Sequence, residues 1–192
     1  MASLRRDHLV GTALALFSKH GYHATGIDRI LAESGVAKMT LYKHFRSKDD
    51  LILAVLRRRD EEFRRWFQAE IESRAATPHE RILAAFDVLE AWFKDPEFNG
   101  CCFIHAAGEY GSKDNPIHTA AAEHKARVLG YFRDLAQTAG AAAPDDLARQ
   151  LMLLVDGAIV TAHVSGDAAS ARGARTLAEV LLVGILGEKK AA

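Results

Sequence analysis

Apolar residues recur at spacings of three and four along almost the whole of this chain, and no run alternates polar and apolar residues for long enough to form a strand. A chain patterned in this way folds as an all-α protein, because a helix brings positions three and four apart onto one face. Its 192 residues suffice for one large domain or two small ones. There is no internal repeat.

Start and stop signals divide the pattern into about nine helices. The first runs from about Leu4 to Lys19, with Leu9, Ala13, Leu16 and Phe17 on one face, and Gly21 closes it with a left-handed cap. Thr25 and Asp28 are spaced as a capping box for a short second helix carrying Ile27, Ile30 and Leu31, which Ser34 and Gly35 end. Val36 anchors the turn, and a third short helix spans about Lys38 to Phe45. Ser47 with Asp50 opens a fourth helix reaching Ser73; Thr77, Pro78 and Glu80 open a fifth that ends at Asp95-Pro96. From Phe98 to Tyr110 glycines interrupt an apolar segment. A loop at Ser112 to Asn115 leads to a long helix from Pro116 to Ala139. Two final helices, about Asp145 to Val164 and Ala168 to Leu186, precede a Lys189-Lys190 tail expected to fray.

Charge is unevenly placed. Residues 1–48 hold eight Lys/Arg against three Asp/Glu, a net of +5, while the rest of the chain carries −5. A basic head on an acidic body approaches phosphates with one end only, because the electrostatic part of nucleic-acid affinity follows local cation clustering. No unbroken apolar run reaches the ~20 residues of a membrane span, and Arg5, Arg6 and Asp7 near the start leave no signal-peptide core. Cys101 and Cys102 are adjacent and make no disulfide framework. A cytoplasmic protein with no membrane partner is expected.

Two short helices joined at Gly35, with a scaffold helix before them and a long one after, are the parts of a helix-turn-helix. If Leu41 and Phe45 pack inward, Lys38, Met39, Thr40, Tyr42, Lys43 and His44 face out. Thr and Tyr hydroxyls and Lys ammoniums donate to phosphate oxygens, and Lys also donates to guanine acceptors in the major groove. Lys48, in the first turn of the fourth helix, adds charge beside exposed backbone amides.

Residues 22–55, with Tyr22, Thr25, Ile30, Gly35, Val36, Thr40-Leu41-Tyr42, His44-Phe45, Ser47-Lys48 and Leu51, resemble the DNA-binding domain of the TetR family. The resemblance implies a TetR-type head over 1–48 and a helical ligand-binding and dimerisation domain over 49–192. It implies phosphate contacts at Thr25, Thr40, Tyr42 and Lys48, and base or nearby backbone contacts at Lys38, Met39 and His44. Two positions depart from the family's habit. Ala37 stands where a Ser is frequent, which removes a cap worth roughly 1 kcal/mol. Met39 replaces a small residue, and a Met there either meets a thymine methyl or crowds the groove.

The last two helices are more apolar than a surface pair should be. The resemblance implies that they pair across a two-fold axis, with Leu151, Val155, Ile159, Ala162, Leu177, Leu181 and Ile185 at the interface. The homodimer then meets a near-palindromic duplex. Between head and dimer helices, Phe67, Phe86, Trp92, Phe103, His105, Glu109, His124 and Tyr131 mix aromatic walls with polar groups, the makings of a small-molecule effector pocket. Gly100-Cys101-Cys102 and Glu109 resemble a subset of the family whose sixth helix starts Gly-Cys and carries a Glu near its end. The expected function is a ligand-responsive regulator, in the family's usual mode a repressor. The alternatives are thiol sensing through Cys101 and Cys102, a helical small-molecule-binding protein, or an enzyme. No phosphate-gripping glycine loop, triad, dense metal cluster or cofactor motif supports catalysis.

Overall fold

The computed structural model describes residues 2–187, with side chains from 4 to 185, so the Lys189-Lys190 tail and the Leu186 side chain lie outside the described residues. Among the described residues there are nine α-helices and no strand: α1 (Ala2–His20), α2 (Ile27–Ser34), α3 (Lys38–His44), α4 (Lys48–Arg74), α5 (Pro78–Phe93), α6 (Cys102–Glu109), α7 (Pro116–Thr138), α8 (Pro144–Ser165) and α9 (Ser170–Gly187). They form two compact units. One comprises residues up to Glu62 with Cys101–His124; the other comprises Phe63–Gly100 and the chain from Lys125 onward.

In the first unit the stripe Leu9, Ala13, Leu16 and Phe17 of α1 is buried together with Tyr22, Ile30, Leu41, Leu51, Ile52 and Val55. Gly21 ends α1 at φ 82°, its N–H donating to Phe17 O at 2.9 Å, and Gly35 ends α2 at φ 64°. Thr25 does not cap α2. The N-cap is Gly26, without a side-chain bond, and the fully buried Thr25 hydroxyl donates to Gly21 O at 2.8 Å. A buried hydroxyl must donate to an acceptor, and the carbonyl just past the end of α1 supplies it. At α4, Ser47 Oγ accepts from Asp50 N–H at 3.1 Å as expected, but the Asp50 carboxylate reaches back to Arg46 N–H.

The second unit is built on α5, α8 and α9. Thr77 and Glu80 form the expected reciprocal box at the start of α5, which buries Ile82, Phe86 and Leu89. Small residues on the inner face of α9, Ala171, Ala174 and Ala178, admit α5 and α8 closely. The ion pairs Arg172–Glu90 (2.7 Å) and Arg175–Asp87 (3.1 Å) flank that seam. By length and hydropathy α8 would suffice to cross a bilayer, but one of its faces is buried in this unit.

That burial corrects the expected interface. Leu151, Val155, Ile159 and Ala162 are buried within their own chain, because α8 is apolar on both faces and this stripe is the one its own fold covers. Leu181 and Ile185 are half-buried. The exposed apolar residues are Leu153 (75%), Val160 and Val164 (79%) on α8, with Leu177, Val180 and Val183 on α9.

Candidate nucleic-acid interface

A seven-residue helix has too little surface to bury two faces, and α3 buries only Leu41, with Phe45 just beyond its end. Lys38, Met39, Tyr42 and Lys43 are exposed, Met39 to 86%; Thr40 and His44 are half-buried. Ala37 is the N-cap and offers no side-chain bond, so the amides that open α3 are uncapped by side chains. Lys38 Nζ lies 3.5 Å from Asp28 Oδ1 on α2, a solvent-exposed pair that restrains the ammonium only weakly. Arg6 sets its guanidinium 5.4 Å from the centre of the Phe45 ring. Exposed Arg46, which the sequence reading passed over, extends the cationic surface beyond α3. Thr25, expected at a phosphate, is buried and its hydroxyl is spent inside the head.

Lys48 is half-buried, and its Nζ donates to His23 O at 3.3 Å. His23 belongs to the loop between α1 and α2, which is stapled from its other side by the end of α6. Glu109 Oε1 accepts from Tyr22 N–H at 2.8 Å, and Glu109 Oε2 accepts from His23 N–H at 2.6 Å. His23 Nε2 lies 3.0 Å from Glu109 O, and its ring stacks on Tyr110 at 4.7 Å. Burial, then the nearby Asp49 carboxylate, pushes the Tyr110 hydroxyl pKa up to about 12. At the opposite end of α6 the Tyr22 hydroxyl donates to Cys102 O at 3.0 Å, and burial raises its pKa. Tyr22 thus holds both ends of α6.

Two family models match this chain. One, described as bacterial regulatory proteins of the tetR family, covers residues 9–55, and the other, the tetracyclin repressor-like C-terminal domain, covers 78–178. The chain belongs to the TetR family of transcriptional regulators. A solved TetR-family regulator from Streptomyces coelicolor superimposes with a TM-score of 0.86 at 30% identity, over 96% of this chain and 97% of that one. The HTH-type transcriptional regulator YjdC of Escherichia coli is 24% identical over 93% of this chain and 94% of its own. The HTH-type transcriptional activator FasR of Mycolicibacterium smegmatis is 50% identical over 54 residues, 28% of this chain and 25% of that protein. Ligand-responsive repression is the general nature of TetR regulators.

The residues expected to line an effector pocket divide between the two units. Phe103 and His124 come together in the first, face to face at 3.6 Å and 7°, and His124 Nδ1 lies 2.8 Å from Asp60 Oδ1. Both rings are buried in that core, and Glu109 has both carboxylate oxygens committed to the loop, so these three side chains serve the head's own unit. His105 is half-buried on the same helix. In the second unit Phe86 is fully buried. Phe67 stacks with Phe63 at 5.4 Å and meets Phe132, which Tyr131 also touches. Trp92 meets Trp66, Phe63 and Phe98. The Tyr131 hydroxyl is buried without a hydrogen-bond partner, an open polar group in an aromatic wall.

Asp60 escaped the sequence reading because it stands in the charged run Arg57 to Glu62. It alone of that run falls on the apolar stripe Ile52, Leu56, Phe63 and Phe67, and a carboxylate interrupting such a stripe must be paired. Cys101 and Cys102 are both buried. Among the described residues no group of three or more His, Cys, Asp or Glu side chains is placed to hold a metal.

Proposed function

We propose that this chain acts as a homodimeric, effector-responsive repressor of a near-palindromic operator in the cytoplasm, with residues 1–48 as DNA reader and 49–192 as sensor and dimer body. The observation that carries the reading is the exposed set on α3: a face of Lys38, Met39, Tyr42 and Lys43 is wrong for a protein core and right for a groove walled by phosphates. Thr40, Tyr42, Lys43 and Lys48 grip the backbone, while Lys38, Met39 and His44 meet base edges.

The second copy covers Leu153, Val160 and Val164 of α8 and Leu177, Val180 and Val183 of α9. Six large apolar side chains exposed on two neighbouring helices form a face that a self-complementary partner removes from water. In the second unit the aromatic wall of Phe67, Trp92 and Tyr131 is the region we assign to the effector, with the unpaired Tyr131 hydroxyl as its polar contact. The chain has no catalytic role in this reading.

Duplex binding at two salt concentrations tests the reading. Affinity that falls steeply with salt, as counterion release requires, supports a phosphate grip by the head. Affinity for DNA that is absent, or indifferent to salt, contradicts it.

A further inference from the structure

The backbone between α1 and α2 belongs to no helix, so the N–H groups of Tyr22 and His23 need acceptors from elsewhere. One carboxylate supplies both: Glu109 Oε1 to Tyr22 and Oε2 to His23, at 2.8 and 2.6 Å. The seating is close. Gly21, at φ 82°, lies so near that a Cβ on it would stand 3.0 Å from Glu109 Oε1. Tyr110 then packs its ring on His23, which holds the loop from the same end of α6. With the loop fixed in this way, the His23 carbonyl accepts one of the three N–H donors of Lys48.

From this chain of contacts we infer that Glu109 is a positioning residue for DNA binding: through the His23 peptide it sets the Lys48 ammonium for phosphate. Lysine is a flexible point charge that loses much rotamer freedom when it is ordered. Spending one donor on His23 O orders the stem in the free protein and leaves two donors for phosphate oxygens. Displacing the C-terminal end of α6 withdraws the two acceptors, moves the His23 carbonyl and releases the lysine. Because coupling is reciprocal, a phosphate on Lys48 also favours the seated position of Glu109. Glu109 therefore reports the position of α6 to the DNA contact, a role different from touching an effector. The inference rests on the reading of Lys48 as a phosphate contact.

A double-mutant cycle in the full-length protein tests it, with a duplex selected from a random pool as probe and melting curves to verify folding. Lys48→Ala should weaken binding about tenfold and lower the log–log salt slope by about 1. Glu109→Gln turns an amide NH2 toward one of the two backbone donors, and should cost about fivefold with a reduced salt slope. In the Lys48→Ala background the same change should cost less than about twofold. His23→Ala, at an exposed side chain, runs the same cycle if Glu109→Gln lowers the melting temperature; it should show a smaller loss that again vanishes without Lys48. Losses that multiply in the double variants overturn the inference while leaving the phosphate contact intact. No loss from Lys48→Ala alone removes the phosphate contact and the inference with it.

Discussion

α3 and α8 both leave one face outside their own unit, and the two faces have opposite chemistry. That of α3 is cationic and hydroxylic, with Met39 as its one large apolar side chain; that of α8 carries Leu153, Val160 and Val164 beyond the exposed Asp146–Arg149 pair of its first turns. The first surface keeps its hydration until a polyanion replaces the counterions, so its affinity depends on salt. The second gains by leaving water whenever a matching surface is present, and its affinity follows apolar area. In the proposed reading the molecule separates recognition of DNA from recognition of itself by chemistry as well as by position in the chain.

The sharpest way to break this comparison is to place charge on the apolar face. Val160→Glu should leave the melting of the single chain almost unchanged while shifting the protein to monomers in sedimentation. Operator affinity should fall about a thousandfold, because the second head no longer binds at high effective concentration. The buried face of the same helix provides the control. Leu151→Ala should cost about 3 kcal/mol of stability in denaturant titration while the association state is retained. Reversed outcomes would exchange the roles of the two faces of α8.

On α3 the expected effects are smaller. Tyr42→Phe should weaken binding about fivefold on specific and non-specific duplexes alike, measured by fluorescence anisotropy, because a phosphate contact carries no sequence information. Met39→Ala should lower affinity about fourfold only on duplexes carrying the preferred thymine, and replacing that thymine by uracil should produce the same loss in the unchanged protein. Equal losses on every sequence would make Met39 a backbone contact.

Legibility in the sequence followed how many partners each residue had to choose from. α3 is short and surrounded by polar residues, so its inward pair and the exposed Lys38, Met39, Tyr42 and Lys43 were readable from spacing alone, while Thr40 and His44, expected to face out, are half-buried. The Thr77–Glu80 box was readable because both partners lie within one turn. On α8 the apolar pattern runs round the helix, and spacing cannot say which stripe the chain covers itself; the residues named for the interface proved to be the inner stripe. Thr25 was misread for a related reason, since its role depends on being buried, which local spacing does not encode. Glu109 and His124 were visible as polar groups in apolar surroundings. Their partners, the Tyr22 and His23 amides and Asp60, lie 87, 86 and 64 positions away in the chain, beyond any local pattern.

Selection of bound duplexes from a random pool by the full-length protein tests the central claim most directly. The account predicts an inverted repeat with half-site centres about one helical turn or more apart, read by two heads of one dimer. A single unrepeated site, or no enriched sequence at all, would contradict it.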